Sequence, residues 1–215
     1  YATDYFGQTL AFDLTATRLV VGAMVDKLNG SVGGQCYVYT RGSGDVWAQE
    51  AAIRPTAMSA NEYFGLSLCI NSAGNRLYVS SVQRPVGALV MAGAVTVFSR
   101  TGTVWSEVAT LTEPTPAASA GFGRSLSISE NGLRLMVSAV YAAGRSSDPG
   151  HVYFASVDES TNTITFEPRV DSPNTGPYWF GFDVLIAPTG RRAFIRQYNG
   201  VDTLTGQGKL IVTNC

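Results

Sequence analysis

The chain has 215 residues, 45% hydrophobic, 11% aromatic and only 14% charged, against about a quarter charged in an ordinary soluble domain. Fifteen basic residues against sixteen acidic ones leave a net charge of −1 with no basic run, so nothing neutralises phosphates and nucleic acid is excluded as a partner. No stretch reaches the roughly 18 uninterrupted apolar residues of a membrane span, and the start at Tyr1, with neither Met nor a signal-like apolar run, points to a processed form or a piece of something longer.

The first unit opens at Phe6-Gly7. Leu10 and Phe12 alternate with Ala11, as in a strand with two unlike faces. Arg18–Ala23 is an apolar second run, QCYVYT from Gln35 is a β-branched and aromatic third, and Trp47 marks a fourth. Turns rich in Gly, Ser and Thr separate them. The series then returns. Phe-Gly recurs at Phe64, Phe122 and Phe180, each 58 residues on, and arginine recurs at Arg76, Arg134 and Arg192 with the same step. Gly34, Gly93, Gly150 and Gly208 open the third runs, Val104-Trp105 repeats Val46-Trp47, and Phe166 stands near that place in the third copy. The fourth copy keeps Val184 and Ile186, then Arg192–Gln197 and KLIVTN, and stops at Cys215. No helical period competes.

Four short antiparallel strands, repeated, describe a propeller blade. The expected fold is all-β and β-propeller-like, a single domain over residues 1–215 with blades at about 5–62, 63–120, 121–178 and 179–215. The fourth blade lacks its outermost strand, so Lys209, Leu210, Ile211, Val212 and Thr213 form an edge expected to pair with a neighbouring subunit or with sequence outside this chain. Chain reversal puts the turns between strands one and two, and three and four, on one face. The long connections, such as 82–92 and 170–179, lie on the other. That loop face is the expected binding surface. Tyr63 and Trp179 (with Tyr178 beside it) precede Phe-Gly there, and Val86, Leu89 and Met91 make an apolar loop, all candidates for a protein partner or a glycan.

Phe-Gly, the alternating strand, a second strand ending Val-Gly-Ala, then GQCYVYTR and DVWAQEAAI together resemble the FG-GAP repeat family, which includes the propellers of integrin α subunits. The resemblance covers essentially the whole chain. It implies a propeller, a setting outside the cell and, in many members, Ca²⁺ held between the first two strands. Here those loops read DLTATR, NSAGNR, SENGLR and APTGRR, with at most one acid each, so no metal or other cofactor is expected.

The remaining motifs are weak. His151 has no acid or cysteine at ligand spacing and reads as structural, and no nucleophile elbow or metal-protease motif is present. The four repeat arginines pair with carboxylates or carbonyls, or else form an anion-binding ring. Cys36 and Cys69 read as buried thiols or a pair between blades. Cys215 is a candidate for an intermolecular disulfide, and Asn29 lies in a glycosylation sequon. The expectation is therefore a non-enzymatic extracellular, cell-surface or virion-surface module for adhesion or assembly, binding a protein through its loops and open last blade. The alternatives are a lectin-like glycan binder and an enzyme with an axial cleft.

Overall fold

The computed structural model describes residues 4–28, 31–140, 149–173, 179–198 and 209–214. Its strands form four successive antiparallel sheets, apart from a short pair, Lys27–Leu28 with Ser31–Val32. In the first sheet the chain runs outward through strands a (Phe6–Phe12), b (Arg18–Ala23), c (Gln35–Arg41) and d (Trp47–Ile53). The second repeats this as Phe64–Ile70, Arg76–Ser81, Ala94–Thr101 and Val104–Leu111. The third runs Phe122–Ile128, Arg134–Ala139, His151–Asp158 and Thr163–Phe166, with Val170–Asp171 also pairing to its c strand. The fourth holds Phe180–Ile186, Arg192–Gln197 and Lys209–Asn214, and no d strand among the described residues. The b strands occupy the spans that the arginine-led runs predict.

Alternation gives each sheet two apolar faces, and successive sheets share a core. Val20, Cys36, Val38 and Ile53 of the first sheet bury Phe64, Leu68 and Ile70 of the second. Cys69, Tyr78, Val95 and Val97 then bury Phe122 and Leu126, and Met136, Val152 and Phe154 bury Phe180, Val184 and Ile186. The motif phenylalanine is the peg in each joint: Phe64, Phe122 and Phe180 are 0%, 0% and 1% exposed. Their amides donate across the joint to carbonyls of the preceding sheet, at Gly33 (2.9 Å), Ala92 (2.9 Å) and Pro149 (2.6 Å).

The glycine that follows has a steric reason. Gly123 sits at φ +94°, and a Cβ there would lie 2.9 Å from the Cβ of Ser80 in the preceding sheet. Hydroxyls complete the joints: the amides of Leu126 and Val184 donate to Ser67 Oγ (3.0 Å) and Ser125 Oγ (3.1 Å). On the short-turn face the a–b turns join hands around the axis. Leu14 N donates to Ser72 O (3.3 Å), Ser72 Oγ to Glu130 O (2.5 Å) and Glu130 N to Pro188 O (3.1 Å).

The outer rim carries one strong polar clamp between the first two sheets. Arg100 donates to both oxygens of Glu50 (2.8 and 2.6 Å), and Trp105 Nε1 donates to Oε1 (2.9 Å). The Arg100 bonds hold the Glu50 carboxyl below its usual 4.5. A depressed folded value means the stabilisation is complete above the ordinary carboxylate pKa and is lost as pH falls through the folded one. Glu50→Gln should therefore cost about 1–3 kcal/mol near neutrality and flatten the fall in melting temperature between about pH 5 and about pH 3. Parallel pH profiles of the two proteins by thermal melting would remove the clamp from the account.

Candidate functional site

The Phe-Gly corner is also a bulge that turns a side chain toward the axis. Phe64 pairs with Ser81 while Leu68 pairs with Val79, so two extra residues stand on strand a, and the other three sheets show the same jump. The residue after the glycine is Gln8, Leu66, Arg124 or Phe182 in the four copies. The first three of these line a cavity of about 380 Å³ together with Met24, Tyr63, Val82, Gln83, Met91 and Gly121. Met24, Val82, Gln83 and Met91 belong to b–c loops, and Tyr63 and Gly121 to d–a connections, so the cavity opens on the loop face.

The residue before each motif phenylalanine is left-handed: Tyr5 at φ +54°, Tyr63 at +57°, Gly121 at +60° and Trp179 at +34°. For an aromatic residue that backbone costs about 1–2 kcal/mol, and it persists only where the surroundings fix it. Here they fix aromatic side chains at the rim.

Arg124 is the cation of this cavity. Its guanidinium carbon stands 4.4 Å from the centroid of the Phe182 ring, and no carboxylate among the described residues lies within ion-pair distance of it. Behind it Phe182 stacks on Trp179 (5.9 Å, 10° between planes), and Tyr198 closes on both rings at 5.4 and 5.5 Å. A half-buried guanidinium with an aromatic back and no counter-ion is suited to a planar anion.

Buried polar clusters hold the loops around this mouth. Asp26 accepts from the Tyr37 hydroxyl and faces Arg54 at 3.9 Å, while Arg54 Nε donates to Gln35 Oε1 (2.9 Å). Glu62 accepts the Ser59 amide (2.6 Å) and faces Arg84 at 4.0 Å. Glu113 Oε1 meets His151 Nε2 at 2.7 Å and the Tyr153 hydroxyl at 3.0 Å. His151 is thus buried against an acid partner 38 residues away that sequence spacing does not reveal.

Of the residues singled out from sequence, Tyr63 and Met91 line the cavity and Trp179 joins the aromatic stack. Val86 and Leu89 bridge one another across their loop and are half-buried outside the lining. Lys209–Thr213 pair with strand b of the fourth sheet. Asn29, Tyr178 and Cys215 lie outside the described residues. Three repeat arginines have partners rather than a shared anion site: Arg18 faces Asp13 at 3.8 Å, Arg76 reaches Glu159 O at 3.3 Å, and Arg134 pairs with Glu167. Cys36 and Cys69 are separate buried thiols whose pKa burial pushes up. Sequence reasoning passed over Gln8, Arg124, Phe182 and Tyr198. The available signal was a position whose residue type changes in every copy while the Phe-Gly before it does not.

Residues 105–154, from the d strand of the second sheet to the c strand of the third, match the FG-GAP repeat. No curated protein sequence matches the chain. Among solved structures it is similar to a Bacteroides uniformis protein provisionally assigned as a 6-phosphogluconolactonase, at 12% identity and a TM-score of 0.58, over 96% of this chain and 57% of that one. It is also similar to the periplasmic gluconolactonase PpgL of Pseudomonas aeruginosa, at 19% identity and a TM-score of 0.56, over 94% and 52% of the two chains. Saccharomyces cerevisiae Sqt1 aligns at 12% identity and a TM-score of 0.51, over 96% and 46%. The fold is β-propeller-like, and the chain spans about half the length of these structures.

These neighbours correct the expectation of a non-catalytic adhesion or assembly module, and with it the expectation that the chain is not an enzyme. Structures assigned as lactonases share the frame, and a cavity whose cation has no carboxylate partner among the described residues is the feature a surface-loop reading overlooked.

Proposed function

We propose that this chain is part of a propeller hydrolase acting on anionic sugar esters of the lactone type, with the substrate seated in the axial cavity of the loop face. The observation that carries this is Arg124, an axial guanidinium backed by Phe182 and without a carboxylate partner among the described residues. Support for the substrate class comes from neighbours named for gluconolactone and its 6-phosphate. Gln8, Gln83 and Tyr63 offer neutral polar groups for the hydroxyls of a polyol. In lactone opening, water adds to the ester carbonyl, the ring C–O bond breaks, and the ring oxygen takes a proton to leave a hydroxy acid. Arg124 serves by holding the anionic end or the developing oxyanion. Among the described residues neither histidine nor carboxylate lines the cavity, so the part these residues play is binding and charge stabilisation. The FG-GAP repeat favours a setting outside the cell for this activity.

A lectin-like second reading rests on the Trp179, Phe182 and Tyr198 stack, since such rings also receive sugars. Titration with gluconate, 6-phosphogluconate and neutral oligosaccharides, followed by tryptophan fluorescence, separates the two. We expect saturable change with the anions that is lost in Trp179→Phe. Response to neutral sugars alone would favour the lectin, and no response to any would remove both.

A further inference from the structure

We propose that the free face of the first sheet is an inter-blade joint whose occupant is a further sheet of this same repeat, not a second copy of the four sheets described above. The joints already present supply the argument. In the second, third and fourth sheets the motif phenylalanine is 0%, 0% and 1% exposed, whereas Phe6 is 56% exposed, and Leu10 and Phe12 beside it are 58% and 51% exposed. A Cβ on Gly123 would meet Ser80 at 2.9 Å and one on Gly181 would meet Ser138 at 2.9 Å, but one on Gly7 would meet nothing within 4 Å. Phe6 and Phe12 nonetheless stand in the joint arrangement, edge-on to Tyr37 (5.4 Å) and Trp47 (5.9 Å). Strand a of the first sheet is built to receive a sheet, and none lies on it among the described residues.

The chemistry of the occupant follows from what each joint requires. The sheet that receives a Phe-Gly corner presents Gly22, Ser80 or Ser138 beneath it, all small. The fourth sheet places Arg196 at that repeat position, bonded to Asp183 at 2.6 Å and lying 5.4 Å from the Phe182 ring. It also places Leu185, 58% exposed, where the other copies have Ala11, Cys69 and Ser127. The outer face of the fourth sheet therefore does not fit Phe6-Gly7, and two copies cannot close head to tail through it. The required sheet carries glycine or serine at the Gly22 position. The structural neighbours, of which this chain covers 57% and 52%, have room for such sheets. This inference stands apart from the catalytic reading.

The test is hydrogen exchange of the Phe6–Phe12 amides in three proteins. These are the 215-residue chain, the same chain with a duplicate of residues 63–120 joined ahead of Tyr5, and that fusion carrying S80R in the duplicate. The duplicate should slow exchange of this strand by about tenfold or more, and S80R should abolish the slowing. Equal exchange in all three, or slowing that survives S80R, overturns the proposal. Should the fusion not fold, sedimentation of the unmodified chain and of D183S/R196S decides. The unmodified chain should form no head-to-tail dimer, while the double variant, with a small residue restored, should associate through Phe6. A head-to-tail dimer of the unmodified chain that protects Phe6–Phe12, or failure of the double variant to associate, contradicts it.

Discussion

Phe122→Ala should lower the unfolding free energy by about 3–5 kcal/mol, while Phe6→Ala, the same change at the same repeat position, should cost under about 1 kcal/mol. Phe122 is fully buried between the second and third sheets and meets Tyr153 and Phe166 edge-on at 6.0 and 5.8 Å. Its removal leaves a cavity bounded by strands that are hydrogen-bonded on both sides and cannot close over it. Phe6 is 56% exposed where Phe122 is covered by Val95 and Val97, so little burial is lost with its ring. Urea unfolding of both variants reads the difference directly. Equal costs would mean that Phe6 is as well buried as Phe122, and the uncovered first joint would drop out of the account.

Arg124→Ala should weaken binding of gluconate or 6-phosphogluconate by about a hundredfold, about 2.8 kcal/mol at 1.4 kcal/mol per factor of ten. Arg124→Lys should recover only part of this, because an ammonium cannot offer the Phe182 ring a guanidinium plane or form two parallel bonds to an anion. The fold should survive both changes, since Arg124 is half-buried and contributes to no joint core. Arg192, exposed at the start of strand b in the fourth sheet, supplies the control, and its alanine variant should bind as the unmodified protein does. Calorimetry on the three variants measures this. Loss of affinity only in Arg192→Ala would put the anion on the short-turn face instead.

The frame was legible in the sequence because it is repeated. Phe-Gly and the strand-opening arginine report backbone requirements that recur in every sheet, so four copies in phase place the b strands at Arg18–Ala23, Arg76–Ser81, Arg134–Ala139 and Arg192–Gln197, the spans the structure has. The bulge after each Phe-Gly was not legible, because the alternation of strand a looks unbroken through Leu10 and Phe12. That bulge is what sends Gln8, Leu66 and Arg124 into one cavity. The site therefore hid at the position where the copies agree least. The rim aromatics Tyr63 and Trp179 were visible from their shared place before the motif. Their left-handed backbone, and the stack that Trp179 makes with Tyr198, arise only when the b–c and d–a connections meet. The Glu113–His151 contact was hidden for the same reason, since Glu113 lies on a d–a connection and His151 opens a c strand 38 residues later.

The most direct measurement is a crystal structure of the chain with 6-phosphogluconate. The account predicts an anionic group of the ligand at about 3 Å from the Arg124 guanidinium, with the polyol lying among Gln8, Tyr63 and Gln83 in the loop-face cavity. A ligand bound instead at the short-turn end of the axis, or on the outer rim with no anion beside Arg124, would contradict it.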